Sequence, residues 1–173
     1  YGSGNISQAL ISGLLLAGYK KNLIEFIDRN EINSRKTKKL GATKTNLKTI
    51  DTKSIIFLGV KPKDAMTAYA EICAVVKKPK IVSLVAGIKS NKYLSESKSV
   101  ELIRAMPNTS SQFNKGITAI CNCNANKITF NQVFAIFKKV GTTIDITKEN
   151  KIDDFTGLIG SGPAYFFYLL KVY

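Results

Sequence analysis

The chain opens on a glycine turn that runs straight into a helix, and this stretch constrains most of what can follow. After Tyr1 come Gly2, Ser3, Gly4, Asn5, Ile6 and Ser7, then Ala9, Leu10, Gly13, Leu14 and Ala17 at helical spacing. Glycine at the first two turn positions permits a tight bend and a close backbone approach to a ligand. The unpaired N–H groups of the helix start offer partial positive charge to a phosphate. The letters fit a pyrophosphate-binding loop, with Ser7 where a third glycine or alanine would stand. An ordinary helix-capping turn explains them equally well until a second feature is added. The apolar run 23–27 ends in Asp28, about twenty residues on, where an acid suits a ribose hydroxyl.

Beyond Asp28, strand-like and helix-like segments alternate. Gly18 reads as the first helix's C-terminal cap, and Asn30 opens a lysine-rich helix that runs to Leu40 and ends at Gly41. A short strand follows at 42–45, with Asn46 at its end. The continuous apolar run 54–60 reads as a strand buried on both faces, which argues for a parallel sheet. Further strands are expected at 80–86, 100–106, 117–121 and 141–146, and helices at 64–77, from Asn91, and at 130–139. This is the pattern of an α/β fold with a Rossmann-type doubly wound, mostly parallel sheet, extended at one edge.

Residues 149–158 are expected to be helical and to be interrupted by Gly160, Ser161, Gly162 and Pro163. A new apolar helix from Ala164 is expected to begin a C-terminal all-helical domain. The reading therefore divides the chain into a nucleotide-binding unit, 1–159, and the start of a second unit, 160–173. In the strand order 3-2-1-4-5-6 the strand feeding Gly2 lies at the centre, and only Tyr1 stands there. The expectation is a chain lacking its first strand and most of the helical domain.

Composition narrows the chemistry. The formal charge is +14, but only Arg29, Arg35 and Arg104 among the 26 basic residues are arginine, and the lysines are spread evenly. That reads as compositional bias, and no nucleic-acid partner is expected. The apolar stretches fall well short of the roughly twenty residues a membrane span needs, so no membrane partner is expected either. Cys73, Cys121 and Cys123 lack metal-ligand spacing and there is no histidine, so neither a zinc site nor a disulfide framework is supported. A reducing, cytoplasmic setting is expected, with no metal. A Ser-His-Asp nucleophile system cannot be built from these residues, and Ser161 has no activating base.

Four loops fall at the carboxyl ends of strands, where open parallel sheets bind ligands: 2–7, 59–62, 86–87 and 106–109. Each alone is ordinary turn chemistry. Together at one edge they mark a crevice. The motifs Gly2-Ser3-Gly4-Asn5, Val60-Lys61-Pro62, Ala86-Gly87, Arg104-Ala105-Met106-Pro107-Asn108-Thr109 and Gly160-Ser161-Gly162-Pro163-Ala164-Tyr165 stand in an order and spacing that resembles the pyrroline-5-carboxylate reductase family across the whole chain.

The resemblance implies hydride transfer from a reduced nicotinamide to the C=N carbon of 1-pyrroline-5-carboxylate, giving proline. A protonated imine is already electrophilic, so the protein mainly orients two rings and excludes water, which suits a chain without histidine. It implies that Gly2, Ser3, Gly4, Asn5 and Ile6 surround the pyrophosphate, that Asn46 lies near the adenosine, and that Val60, Lys61, Pro62, Ala86 and Gly87 line the cofactor towards the nicotinamide. Met106, Pro107, Asn108, Thr109 and Glu149 fall on the substrate side.

No residue is assigned as catalytic. Met106 also fits the core, Asn108 and Thr109 also fit a loop cap, Lys61 also fits the surface, and Glu149 fits a solvated helix start equally well. Asp28 would accept from a free ribose and repel a 2′-phosphate that Arg29 could hold, so NADPH and NADH both remain, with a lean to NADPH. A homodimer or higher homo-oligomer through the C-terminal domain is implied. The competing readings are a non-catalytic nucleotide-binding module and a hydroxy-acid dehydrogenase of similar sheet, and neither uses the 160–165 motif.

Overall fold

The structure, a computed structural model, describes residues 1–172. Helix α1 (Asn5–Leu16) starts directly behind the glycine turn and buries Ala9, Leu10, Ile11 and Gly13. Helix α2 (Glu31–Leu40) is capped by Asn30, whose Oδ1 accepts the Asn33 N–H at 3.0 Å, and is closed by Gly41 at φ +103°, a left-handed conformation open to glycine. Helix α5 (Lys127–Lys138) begins earlier than the apolar spacing predicts. Asn126 accepts the Thr129 N–H at 2.9 Å and so caps it upstream of the first large side chain.

Strands β1 (Glu25–Phe26) and β2 (Thr43–Lys44) make a short parallel pair. Strands β3 (Ile55–Leu58), β4 (Lys80–Ser83), β5 (Glu101–Met106), β6 (Gly116–Asn122) and β7 (Gly141–Asp145) form a second sheet in that order. Helices α3 (Ala65–Val75) and α4 (Ser90–Glu96) follow β3 and β4. The expected Rossmann-type, mostly parallel arrangement is borne out, with one refinement. Strand β6 runs antiparallel to β5, and β7 runs parallel to β6. Apolar runs buried on both faces do not encode direction, so sequence could not have announced the reversal.

The two sheets meet at the first residues of the chain. The Tyr1 nitrogen donates to the Phe57 carbonyl and the Gly59 N–H donates to the Tyr1 carbonyl, each at 2.8 Å, while the Gly2 N–H donates to the Ile27 carbonyl at 2.8 Å. On one face of the larger sheet Leu58, Tyr69, Ile72, Tyr93 and Leu102 are packed together, and on the other Leu10, Val82, Ile103, Ile120, Val133 and Phe137. Burying each such side chain contributes roughly 1.5–3 kcal/mol, so the parallel strands are held by helices on both sides.

The C-terminal stretch departs from expectation. Helix α6 (Lys151–Phe155) continues through a π-turn (Thr156–Ser161) into α7 (Gly162–Val172), so the interruption expected at 160–163 is a widening of one continuous helix. Gly157, Gly160 and Gly162 lie in and directly after the wider turn, and Pro163, which has no N–H to give to the preceding turn, follows it at once. Among the described residues no helix is long and apolar enough to cross a membrane.

Candidate functional site

Three parallel strands bring the candidate loops to one edge. Leu58, Ser83 and Arg104 lie in one row across β3, β4 and β5, so 59–62, 84–87 and 106–109 leave the sheet side by side. The glycine turn joins them. Gly2 has φ +85°, and a Cβ there would come within 2.7 Å of Val60 Cγ1 and 2.8 Å of the Gly59 carbonyl oxygen. A Cβ on Gly4 would meet nothing within 4 Å, so that side of the turn faces open space. There the first N–H groups of α1 have no partner within the helix.

A carboxylate braces this turn. Ser3, 1% exposed, donates to Asp28 Oδ2 through both its N–H, at 2.6 Å, and its Oγ, at 2.7 Å. Asp28 Oδ1 accepts the Asn30 N–H at 2.7 Å. Partial burial raises the carboxyl's pKa, but the donors from Asn30, Ser3 and Asn33 outweigh it and hold Asp28 below the usual range. The side chain expected to read the ribose thus spends one oxygen on holding the loop, and Oδ1 keeps room for a further donor. Arg29 is exposed and pairs with Glu71 of α3, which also accepts from the Tyr1 hydroxyl. Asn46 is exposed, and its Oδ1 accepts the Lys48 N–H at 3.0 Å in a turn beyond β2.

At the other end of the crevice Lys61, Pro62, Ala86 and Gly87 are exposed and Val60 is half-buried. Gly87 has φ +74°. Met106 packs with Ala119, Cys121 and Ile152 in the core. Asn108 Oδ1 accepts the Ile117 N–H at 3.0 Å, pinning the start of β6, and Thr109 opens a 3-10 turn (Thr109–Phe113) against α1. There a Cβ on Gly13 would lie 2.0 Å from the Ser111 carbonyl oxygen, so glycine permits the crossing.

Glu149 proves to be engaged. Its Oε1 accepts the Ser90 N–H at 2.6 Å and Arg104 Nη1 at 2.8 Å, and its Oε2 accepts Ser90 Oγ at 2.7 Å. Burial raises its pKa, and the Ser90 and Arg104 donors more than offset that, leaving it low. The Arg104 side chain is 0% exposed, and Asp153 Oδ1 stands 3.7 Å from its Nη2. Sequence reasoning quoted Arg104 only as part of a motif and did not mark Ser90. The available signal was an arginine inside the apolar run 100–106 of a lysine-rich chain. Burial pushes the Cys121 thiol up and the Cys123 thiol up to about 12, so neither is a ready nucleophile.

A mostly parallel sheet whose carboxyl edge carries a positive-φ glycine turn opening a helix defines a Rossmann-type dinucleotide-binding fold. The chain belongs to the family described as NADP oxidoreductase coenzyme F420-dependent, whose model matches residues 1–87. Over 98% of its length it is similar to curated pyrroline-5-carboxylate reductases of Pasteurella multocida, at 30% identity, and Bacillus subtilis, at 31%. It spans 65% and 60% of those relatives' own lengths. A solved pyrroline-5-carboxylate reductase of Coxiella burnetii superposes with a TM-score of 0.86 at 28% identity, covering 99% of this chain and 66% of that one. A Plasmodium falciparum pyrroline carboxylate reductase solved with NADP bound shares the fold, with a TM-score of 0.84 at 24% identity and 99% and 64% coverage. The resemblance drawn from the motifs is borne out.

Proposed function

We propose that the protein reduces 1-pyrroline-5-carboxylate to L-proline with a hydride from NAD(P)H. The observation that carries this is the single edge on which the Ser3-braced glycine turn meets the 59–62, 84–87 and 106–109 loops. The turn fits a dinucleotide, because a Cβ at Gly2 would strike Val60 while the Gly4 side is open. A bound nicotinamide supplies the hydride.

The chain's own residues bind and orient. Gly4, Asn5 and Ile6 present backbone N–H groups to the pyrophosphate, Gly2 and Ser3 shape the turn behind them with their own N–H groups given to Ile27 and Asp28, and Asp28, Arg29 and Asn46 face the adenosine end. Val60, Lys61, Pro62, Ala86 and Gly87 flank the nicotinamide end. Pro107, Asn108 and Thr109 lie on the substrate side, with Met106 and Glu149 behind them. No nucleophile is required, since the protonated imine carbon accepts hydride directly once the rings are aligned and water is excluded. NADPH is favoured over NADH because Asp28 is turned onto Ser3 and Arg29 stands beside it.

Residues 1–159 act on this reading as the cofactor unit and 160–173 as the start of a helical dimerisation and substrate unit. The exposed Tyr165, Tyr168, Leu169 and Leu170 support a homo-oligomer there. The protein is cytoplasmic and has no nucleic-acid partner. The test is to follow nicotinamide absorbance of the full-length protein with pyrroline-5-carboxylate, then with 2-keto and 2-hydroxy acids. Turnover with the imine is expected, and turnover only with the acids overturns the proposal.

A further inference from the structure

We infer that Arg104 is a positioning residue that, through Glu149, locks the loop after β4 and the helix beginning at α6 to the strand that carries the Met106–Asn108 bend. The inference rests on the reductase reading for its kinetic consequence and on geometry alone for the lock. Two separate elements converge on a carboxylate carried by a third: Ser90 gives N–H and Oγ at 2.6 and 2.7 Å, and Arg104 gives Nη1 at 2.8 Å. Ser90 follows closely on Ala86 and Gly87, Arg104 stands just before Met106, and Glu149 leads into the helix bearing the 160–165 motif. The parts on which ring alignment depends are thus referred to a single point.

The choice of residue supports geometry over stability. Lysine is by far the commoner cation of this chain, yet the position holds arginine, whose planar fork fixes direction as an ammonium does not. Arg104 is anchored in β5 opposite Ser83 on one side and Cys121 on the other, so its Cα cannot drift. Its Nε and Nη2 find no hydrogen-bond partner among the described residues. Beside it Ser83 Oγ and Tyr93 OH lie 3.0 Å apart in full burial. An incompletely satisfied buried cation is a poor way to stabilise a core, and replacing such a pair by apolar residues is often neutral or stabilising.

The test uses the full-length protein and three variants: Glu149→Gln, Arg104→Lys, and the double variant Arg104→Met with Glu149→Leu, which removes both charges so that the fold survives. The readouts are thermal unfolding, NADPH Kd, kcat and KM for the imine, and amide exchange at Ser90. With folding and NADPH Kd retained, the double variant should lose roughly 10²-fold in kcat/KM for the imine, the scale of an ångström-sized misplacement, and exchange Ser90 rapidly. Arg104→Lys should restore part of both. A folded double variant with wild-type kcat/KM and a protected Ser90 overturns the inference. If the wild type does not turn over the imine, the reductase reading fails, and Ser90 exchange in Glu149→Gln still decides the lock.

Discussion

Asp28 and Glu149 perform the same manoeuvre at opposite ends of the crevice. Each carboxylate accepts both the N–H and the Oγ of one serine, Ser3 or Ser90, at 2.6 and 2.7 Å. Each thereby fixes a loop at the carboxyl edge. They differ in what neutralises them. Asp28 relies on backbone and amide donors and stays beside solvent, whereas Glu149 is met by a fully buried guanidinium. The lesson is that the glycine turn needs only a local brace, while a loop tying strand to helix is held by a charge anchored in the sheet.

That contrast can be broken most forcefully at Arg104. Arg104→Met leaves Glu149 partly buried without its cation, and chemical denaturation should show a loss of about 3–5 kcal/mol. A loss no larger than that of Asp28→Asn would erase the distinction.

Asp28→Asn comes next, at about 1–3 kcal/mol, because the buried Ser3 donors lose their charged acceptor. If Asp28 is chiefly a brace, NADH and NADPH affinities fall together, and a changed ratio would mark it as a reader of the ribose. Its lowered folded pKa means that its contribution is present above the ordinary carboxylate value of about 3.9 and is lost as pH falls through the folded value. The acid limb of a stability–pH curve should therefore flatten in Asp28→Asn. The smallest effect is expected from Glu71→Gln, since Arg29 is 75% exposed and such pairs are screened. Its unfolding midpoint should match the wild type, and a clear drop would show the Tyr1–Glu71–Arg29 contact to be a third brace.

Much of this was legible in the letters. The glycine turn, Asp28 and the loops after 54–60, 80–86 and 100–106 were found by spacing, because backbone geometry restricts residue type where a chain bends or approaches a ligand. The direction of β6 was not legible, since burial on both faces erases the signal of orientation. The partners of Glu149 were hidden for another reason: Ser90, Arg104 and Glu149 are far apart in sequence, and only packing brings them together. Arg104 alone hinted at it, as a charge inside an apolar strand.

The π-turn between α6 and α7 carries a consequence of its own. It sets the azimuth of everything downstream, because the wider turn takes up one extra residue between 156 and 161, and winding the same residues at regular α pitch would rotate Tyr165, Tyr168 and Leu169 by about 100° around the axis. The same side chains would then look out over a different quadrant, with the path of the helix scarcely altered.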